Sequence, residues 1–201
     1  MDMNGFSTAA KLKNVIANDN HAGSNGGAFS VGNRAAMHLL NIKGKNNRAK
    51  NGDGGFLFAK FATEILLRFS TLTLNSASLR GGSIATYSTK SALMNVTISD
   101  CLCGSGGGGA LFIVDSSEMH VLDGIFQNNS ATGSSSGGHM AVISSTLIIY
   151  DRETQLHWPG LEPSLYVFNS VLADTDTGFT NPNTVSLKNR LFSDVGSTFS
   201  H

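Results

Sequence analysis

Few residue types in this chain could carry chemistry, and each needs a neighbour to do so. Cys101 and Cys103 stand one residue apart. A disulfide between them is disfavoured, because residues i and i+2 of an extended segment sit near the upper limit of Cα separation. A zinc site needs further ligands, and none of the six histidines has zinc-finger spacing to this pair. Both cysteines read as small thiols in packed positions. Carboxylates matter more, since glycoside hydrolysis needs two of them about 5–9.5 Å apart. The acids here are scattered: Asp19 and Asp100 share a register position but are three rungs apart, and Asp53 lies just before a glycine pair with no partner at its register. The one tight pairing is Asp174-x-Asp176, which reads as a solvated turn, with a calcium-binding loop as the alternative. Asp151, Arg152, Glu153 and His157 form the densest polar cluster. His38 and His120 read as outward strand residues, and His139 directly follows a glycine pair. No catalytic, cofactor-binding or metal-binding residue is expected from these patterns.

The elements that must position these residues are set by a repeat. A glycine pair recurs five times, at Gly26-Gly27, Gly54-Gly55, Gly81-Gly82, Gly108-Gly109 and Gly137-Gly138. A fixed period near 27–29 residues marks a stacked architecture. Two places after each pair stands a large apolar residue: Phe29, Leu57, Ile84, Leu111 and Met140. Four places after come Val31, Ala59, Thr86, Ile113 and Val142. Period two of this kind describes a strand with one buried face. A second strand follows, with Met37, Ile65, Ala92 and Met119, then Leu39, Leu67, Met94 and Val121, expected inward. His38, Leu66, Leu93 and His120 are expected outward between them. Before the glycines, Asn20, Asn47, Asn75 and Asn129 each open an Asn-x-Ala motif, and Cys101-Leu102-Cys103 replaces it in the fourth repeat. Leu72, Ile98 and Phe126 precede that position by three residues, where earlier repeats have Ala17 and Gly44.

A single coil cannot bury its apolar face, but stacked coils can, with equivalent residues one rung apart at ~4.8 Å. The asparagines then form a ladder whose carboxamides bond their neighbours and the turn backbone, each bond contributing roughly 0.5–1.5 kcal/mol. The 23 glycines argue against long helices. The expected fold is therefore all-β, a right-handed parallel β-helix of about five coils over residues 1–150. Residues 151–201 are expected to form an irregular final coil, a cap or a partly disordered tail, after the turn-like Trp158-Pro159-Gly160.

The pattern apolar-x-x-Asn-x-Ala followed by Gly-Gly-Ala-(large apolar) resembles the repeat of chlamydial polymorphic outer membrane proteins. It is also similar to related right-handed parallel β-helices of the pectin-lyase-like superfamily. Leu72-x-x-Asn75-x-Ala77…Gly81-Gly82 and Phe126-x-x-Asn129-x-Ala131…Gly137-Gly138 carry it, with Gly26-Gly27-Ala28-Phe29 and Gly108-Gly109-Ala110-Leu111. The resemblance spans roughly residues 14–150. It implies the fold and export, and it leaves function open among adhesins, structural spikes and polysaccharide-degrading enzymes. The acidic and basic signatures of the enzymatic members are absent, and Gly137-Gly138-His139 reverses the order of their Gly-His-Gly.

Fourteen basic and fourteen acidic residues cancel, so nucleic acid is not an expected partner. No apolar run reaches the ~18–20 residues of a membrane helix. Met1-Asp2-Met3-Asn4 shows no signal peptide. The expected setting is still extracellular or cell-surface, as a piece of a longer exported protein; a cytoplasmic protein is the alternative. The expected role is a non-catalytic segment for adhesion or recognition of a cell-surface protein or glycan, its end rungs able to stack with further coils. The second reading is a fragment of a carbohydrate-active enzyme, a polysaccharide lyase or glycoside hydrolase. A plain spacer is the third. The outer face is expected to show Ser, Asn and Gly with scattered Phe58, Leu66, Leu93 and Phe112, and to place Arg48, Arg68 and Arg80 at different registers.

Overall fold

The computed structural model describes residues 1–4, 8–62, 64–104, 106–132 and 138–150. It also describes five later strands, Gln155–His157, Leu165–Phe168, Val171–Asp174, Leu191–Ser193 and Thr198–Ser200. The described chain is all-β, a parallel β-solenoid with no helix. Three parallel sheets run along it. The first stacks Asp2–Asn4, Phe29–Gly32, Leu57–Lys60, Ile84–Tyr87, Leu111–Val114 and Met140–Ile143, and continues through Leu165–Phe168. The second stacks Ala9–Lys13, Ala36–Leu40, Glu64–Thr73, Lys90–Ser99, Glu118–Gln127 and Thr146–Tyr150. The third holds the two-residue strands His21–Ala22, Arg48–Ala49, Ser76–Ala77, Leu102–Cys103 and Ser130–Ala131.

The column after the glycine pairs is buried in every coil: Phe29 is 5 % exposed, and Leu57, Ile84, Leu111 and Met140 are 0–1 % exposed. Backbone pairing puts these five in one register. Leu72, Ile98 and Phe126 form a second buried column from the other wall. Gly44 occupies that column in an earlier coil for a steric reason. A Cβ there would lie 2.5 Å from the Phe56 ring, which fills the space that Leu72 fills one coil on. Ser83 stands where Phe56 stands, so the large residue has moved from one wall to the other and the volume is kept.

In the first four pairs the two glycines meet different demands. Gly26, Gly54, Gly81 and Gly108 have φ between 59° and 70°, the left-handed region. The second glycines allow close approach: a Cβ on Gly55 would lie 2.1 Å from the Gly82 oxygen, and one on Gly82 would lie 2.1 Å from the Gly109 oxygen. The other corners are left-handed without glycine. Asn14, Asn41, Phe69, Asn95 and Asp123 share the bend within the second sheet, and Asp19, Asn46, Leu74, Asp100 and Asn128 share the corner before the ladder. Asn and Asp tolerate this conformation best, and eight of these ten residues are Asn or Asp.

One register differs from the sequence reading. Ile65 pairs with Ser91 and Leu67 with Leu93, so Ser91 and Leu93 face inward, whereas Ala92 and Met94 do not. Leu93 is 1 % exposed rather than outward. The cause is a shorter connection. Between the first and second sheets the third coil spends two residues, Ser88 and Thr89, where the flanking coils spend three, 61–63 and 115–117. Because side chains alternate, one residue moves the whole inward set.

Candidate functional site

The asparagine ladder is in place. Asn47 Nδ2 and the Asn47 amide both donate to Asn75 Oδ1, at 2.9 and 3.0 Å, while Asn47 Nδ2 also donates to the Ala17 carbonyl at 2.8 Å. Asn20 repeats the pattern onto Asn47, and the Cys101 amide donates to Asn129 Oδ1 at 3.0 Å. Cys101 fills the gap in the column with its thiol against the Ser99 carbonyl at 3.2 Å. Both cysteines are free and buried. Burial pushes each thiol up to about 12, so neither is a nucleophile near neutral pH.

A second ladder escaped the sequence reading. The Ala62 amide donates to Thr89 Oγ1, the Thr89 amide to Ser117 Oγ and the Ser117 amide to Ser145 Oγ, at 3.2–3.3 Å. Its signal is the 28-residue spacing of these hydroxyl residues, which is hidden by the many other serines. Both ladders serve the turns between coils and offer nothing to a ligand.

The candidate histidines and acids are placed apart. His38 and His120 do share an outward register on the second sheet, with Leu66 and Ala92 on the rungs between. Each holds a carboxylate, His38 to Glu64 at 2.8 Å and His120 to Glu118 at 2.7 Å. The hydrogen bond from His120 draws the Glu118 carboxyl below its ordinary range. His139 is fully buried and meets Asn129 Nδ2 at 3.1 Å through Nδ1. Asp19 and Asp100 occupy one exposed corner, each accepting from a neighbouring Asn side chain, Asn46 and Asn128. The side chains of Asp174-x-Asp176 and of Asp151, Arg152, Glu153 and His157 lie outside the described residues. Among the described residues no group of three His, Cys, Asp or Glu could hold a metal ion. No helix among them is long and apolar enough to cross a membrane.

The outer face of the first sheet carries a cluster that the sequence reading did not assemble. Asp53 and Arg80 each immediately precede a glycine pair, so they are register mates on adjacent rungs. That shared offset was the available signal. Tyr87, at the end of the next first-sheet strand, joins them: its hydroxyl donates to Asp53 Oδ2 at 2.6 Å, and Arg80 Nη1 donates to the same hydroxyl at 3.1 Å. Arg80 lies over the Phe112 ring at 5.2 Å. Phe58 and Phe112 flank Tyr87, with ring centroids 5.5 and 5.8 Å away. Lys60 stands 6.0 Å from the centre of the Tyr87 ring and 5.3 Å from that of the exposed Phe61. Phe112 is only 2 % exposed, against the expectation of an open apolar residue, because it packs with Ala85, Val114 and Ala141 in a small second core.

Burial and the bond to Asp53 push the Tyr87 hydroxyl up, so it stays protonated and donates. The Tyr87 hydrogen bond likewise raises the Arg80 guanidinium, and nearby Asp53 adds to this. Asp53 is 8 % exposed, and its Oδ1 is buried and accepts no hydrogen bond from the described residues. An unpaired carboxylate oxygen in such a place is costly.

A groove of about 320 Å³ lies on the outer face of the second sheet, between Lys11, Lys13, His38, Leu40, Leu66 and Arg68. Lys11 and Lys13 belong to Ala9–Lys13, an edge strand of the described sheet. The groove's lining is basic, with Lys11, Lys13 and Arg68 around Leu40 and Leu66. Comparison with family models, with curated proteins and with solved structures returned no match.

Proposed function

We propose that this chain is a non-catalytic segment of a secreted or cell-surface protein, a β-solenoid rod whose outer face recognises a partner. The observation that carries this reading is the Asp53–Tyr87–Arg80 cluster. It combines aromatic rings, cations and a buried carboxylate on an outer face, and among the described residues it occurs once on a scaffold whose inner columns repeat from coil to coil. The likeness of the repeat to chlamydial polymorphic outer membrane proteins and pectin-lyase-like helices supports a right-handed coil, an extracellular setting and an adhesive role. The open first rung, with Asn20 Oδ1 at the end of its ladder, suits stacking with a further coil of the same kind.

The second reading, a carbohydrate-active enzyme, is favoured by one feature: a buried carboxylate beside a tyrosine and an arginine. Hydrolysis needs a second carboxyl about 5–9.5 Å away, and the cluster itself supplies only Asp53. The test is to incubate purified protein with acidic and neutral polysaccharides and look for new reducing ends or unsaturated products, alongside binding to cell surfaces. The expected result is surface binding without turnover. Turnover abolished by Asp53→Asn would replace the proposal with the second reading.

A further inference from the structure

We infer that the groove on the outer face of the second sheet seats an extended acidic segment of a partner protein; this rests on the recognition reading above and adds the chemistry of one contact. The net charge of zero hides a strong polarity. Residues 1–99 carry eleven Lys and Arg against four Asp and Glu, whereas residues 100–201 carry three against ten. Part of the basic excess is gathered at the groove, whose lining includes Lys11, Lys13 and Arg68 and no acidic residue. All three cations are exposed, and none holds a carboxylate among the described residues. Glu64 stands beside the groove but is turned to His38 at 2.8 Å. Lys43 and Lys45, exposed on the same sheet beyond the bend at Asn41, add to the positive field. Keeping other strands off an open edge accounts for Lys11 and Lys13. It does not account for Arg68, which lies in a strand paired on both sides.

Register fixes the spacing. Lys11, His38 and Leu66 form one outward column, and Lys13, Leu40 and Arg68 form the next. Residues two apart on a strand are separated by ~6.6 Å and two rungs by ~9.6 Å, so Lys11 and Arg68 lie ~12 Å apart across the diagonal. Half-buried Leu40 and Leu66 lie on either side of that line and give it an aliphatic floor. In an extended peptide, side chains i and i+4 share a face ~13 Å apart, with i+2 between them. An acid at each end and an aliphatic residue at the centre therefore meet Lys11, the leucines and Arg68 in turn, with Lys13 as a further cation. The floor separates peptides from other polyanions. No Phe, Tyr or Trp lines the groove, so bases find no ring to stack on, and the C–H face of a sugar finds none either. A membrane surface would rest on the long cations and leave the leucines uncovered.

The test is an NMR titration of the chain with the capped peptide Glu-Ser-Leu-Ser-Glu, following the Leu40 and Leu66 methyl signals. The comparators are Gln-Ser-Leu-Ser-Gln, Glu-Ser-Ser-Ser-Glu, dextran sulfate and phosphatidylserine-containing vesicles. The first peptide should move both methyl signals saturably, less so as salt is raised, and both comparator peptides should bind more weakly. Exposed ion pairs contribute modestly, so Lys11→Gln and Arg68→Gln should each weaken binding about two- to fivefold. The double variant should lose more, while Arg48→Gln on the third sheet changes nothing. These side chains are exposed, so unfolding midpoints should match the wild type and show each variant folded. Binding that survives the double change overturns the site. Equal binding by either comparator peptide overturns the pairing of acids with an aliphatic centre, and methyl signals that answer only to dextran sulfate or to vesicles overturn the peptide as occupant. If no probe binds, the groove proposal fails, and the recognition reading is judged separately by binding of the chain to cell surfaces.

Discussion

The two faces of the first sheet are built from the same strands and obey different rules. Inward, the column Phe29, Leu57, Ile84, Leu111 and Met140 is large, apolar and buried in every coil. Outward, the column beside it runs Ser30, Phe58, Ala85, Phe112 and Ala141, alternating small with aromatic, and it adjoins Tyr87, Arg80 and Asp53. The inner face repeats because every rung must stack on the next. The outer face is less uniform: Ala85, Phe112, Val114 and Ala141 pack there as a small second core, and the polar tie from Asp53 to Tyr87 and Arg80 is singular among the described residues. Repetition in a solenoid thus reports stability, and departures from it mark where to look for recognition.

Breaking the inner face should have the largest effect. Leu111→Asp puts an unpaired charge between Ile84 and Met140 on the flanking rungs. A loss of about 4 kcal/mol or more is expected in denaturant unfolding, enough to abolish the folded state of a marginal chain. Asn75→Leu ranks next. It removes the acceptor of the Asn47 amide and Nδ2 and the donor to the Gly44 carbonyl. Each stranded buried group costs about 1–3 kcal/mol, so a clear fall in the unfolding midpoint is expected. An unchanged midpoint would show that the ladder only accompanies the fold.

The thiols sharpen the comparison through pH. Both cysteines keep their protons to about 12 in the folded chain, against an ordinary 9.0. The unfolded chain therefore loses those protons first. The contribution is fully present below about pH 9 and is lost as pH rises from there towards about 12. Unfolding free energy should decline across that window, and Cys101→Ala should decline less steeply than the wild type. Equal slopes would mean that the buried thiols do not govern the alkaline limb.

Much of the inner face was legible in the residues. The fixed offset of the apolar column from each glycine pair located it, because the pair answers two separate steric needs, left-handed φ and contact with the next backbone. The Asn register was legible for the same reason. The slip at Ser91 was not, since a connection shortened by one residue leaves no mark on composition. Nor was the exchange of bulk between Gly44 and Phe56, which depends on side chains meeting across the core. Of the outer cluster, the shared register of Asp53 and Arg80 could be read from their position before the glycines. The part of Tyr87 could not, because its hydroxyl reaches across a rung to a residue 34 positions earlier.

The division between the faces is tested most directly by the unfolding midpoint of Asp53→Asn. Asn still accepts from Tyr87, and the change removes a charge from a carboxylate whose Oδ1 is buried without a donor among the described residues. If the cluster is kept for a ligand rather than for the fold, the midpoint of the unliganded variant should equal or exceed that of the wild type. A fall comparable to that of Asn75→Leu would contradict the account and make Asp53 one more structural tie between coils.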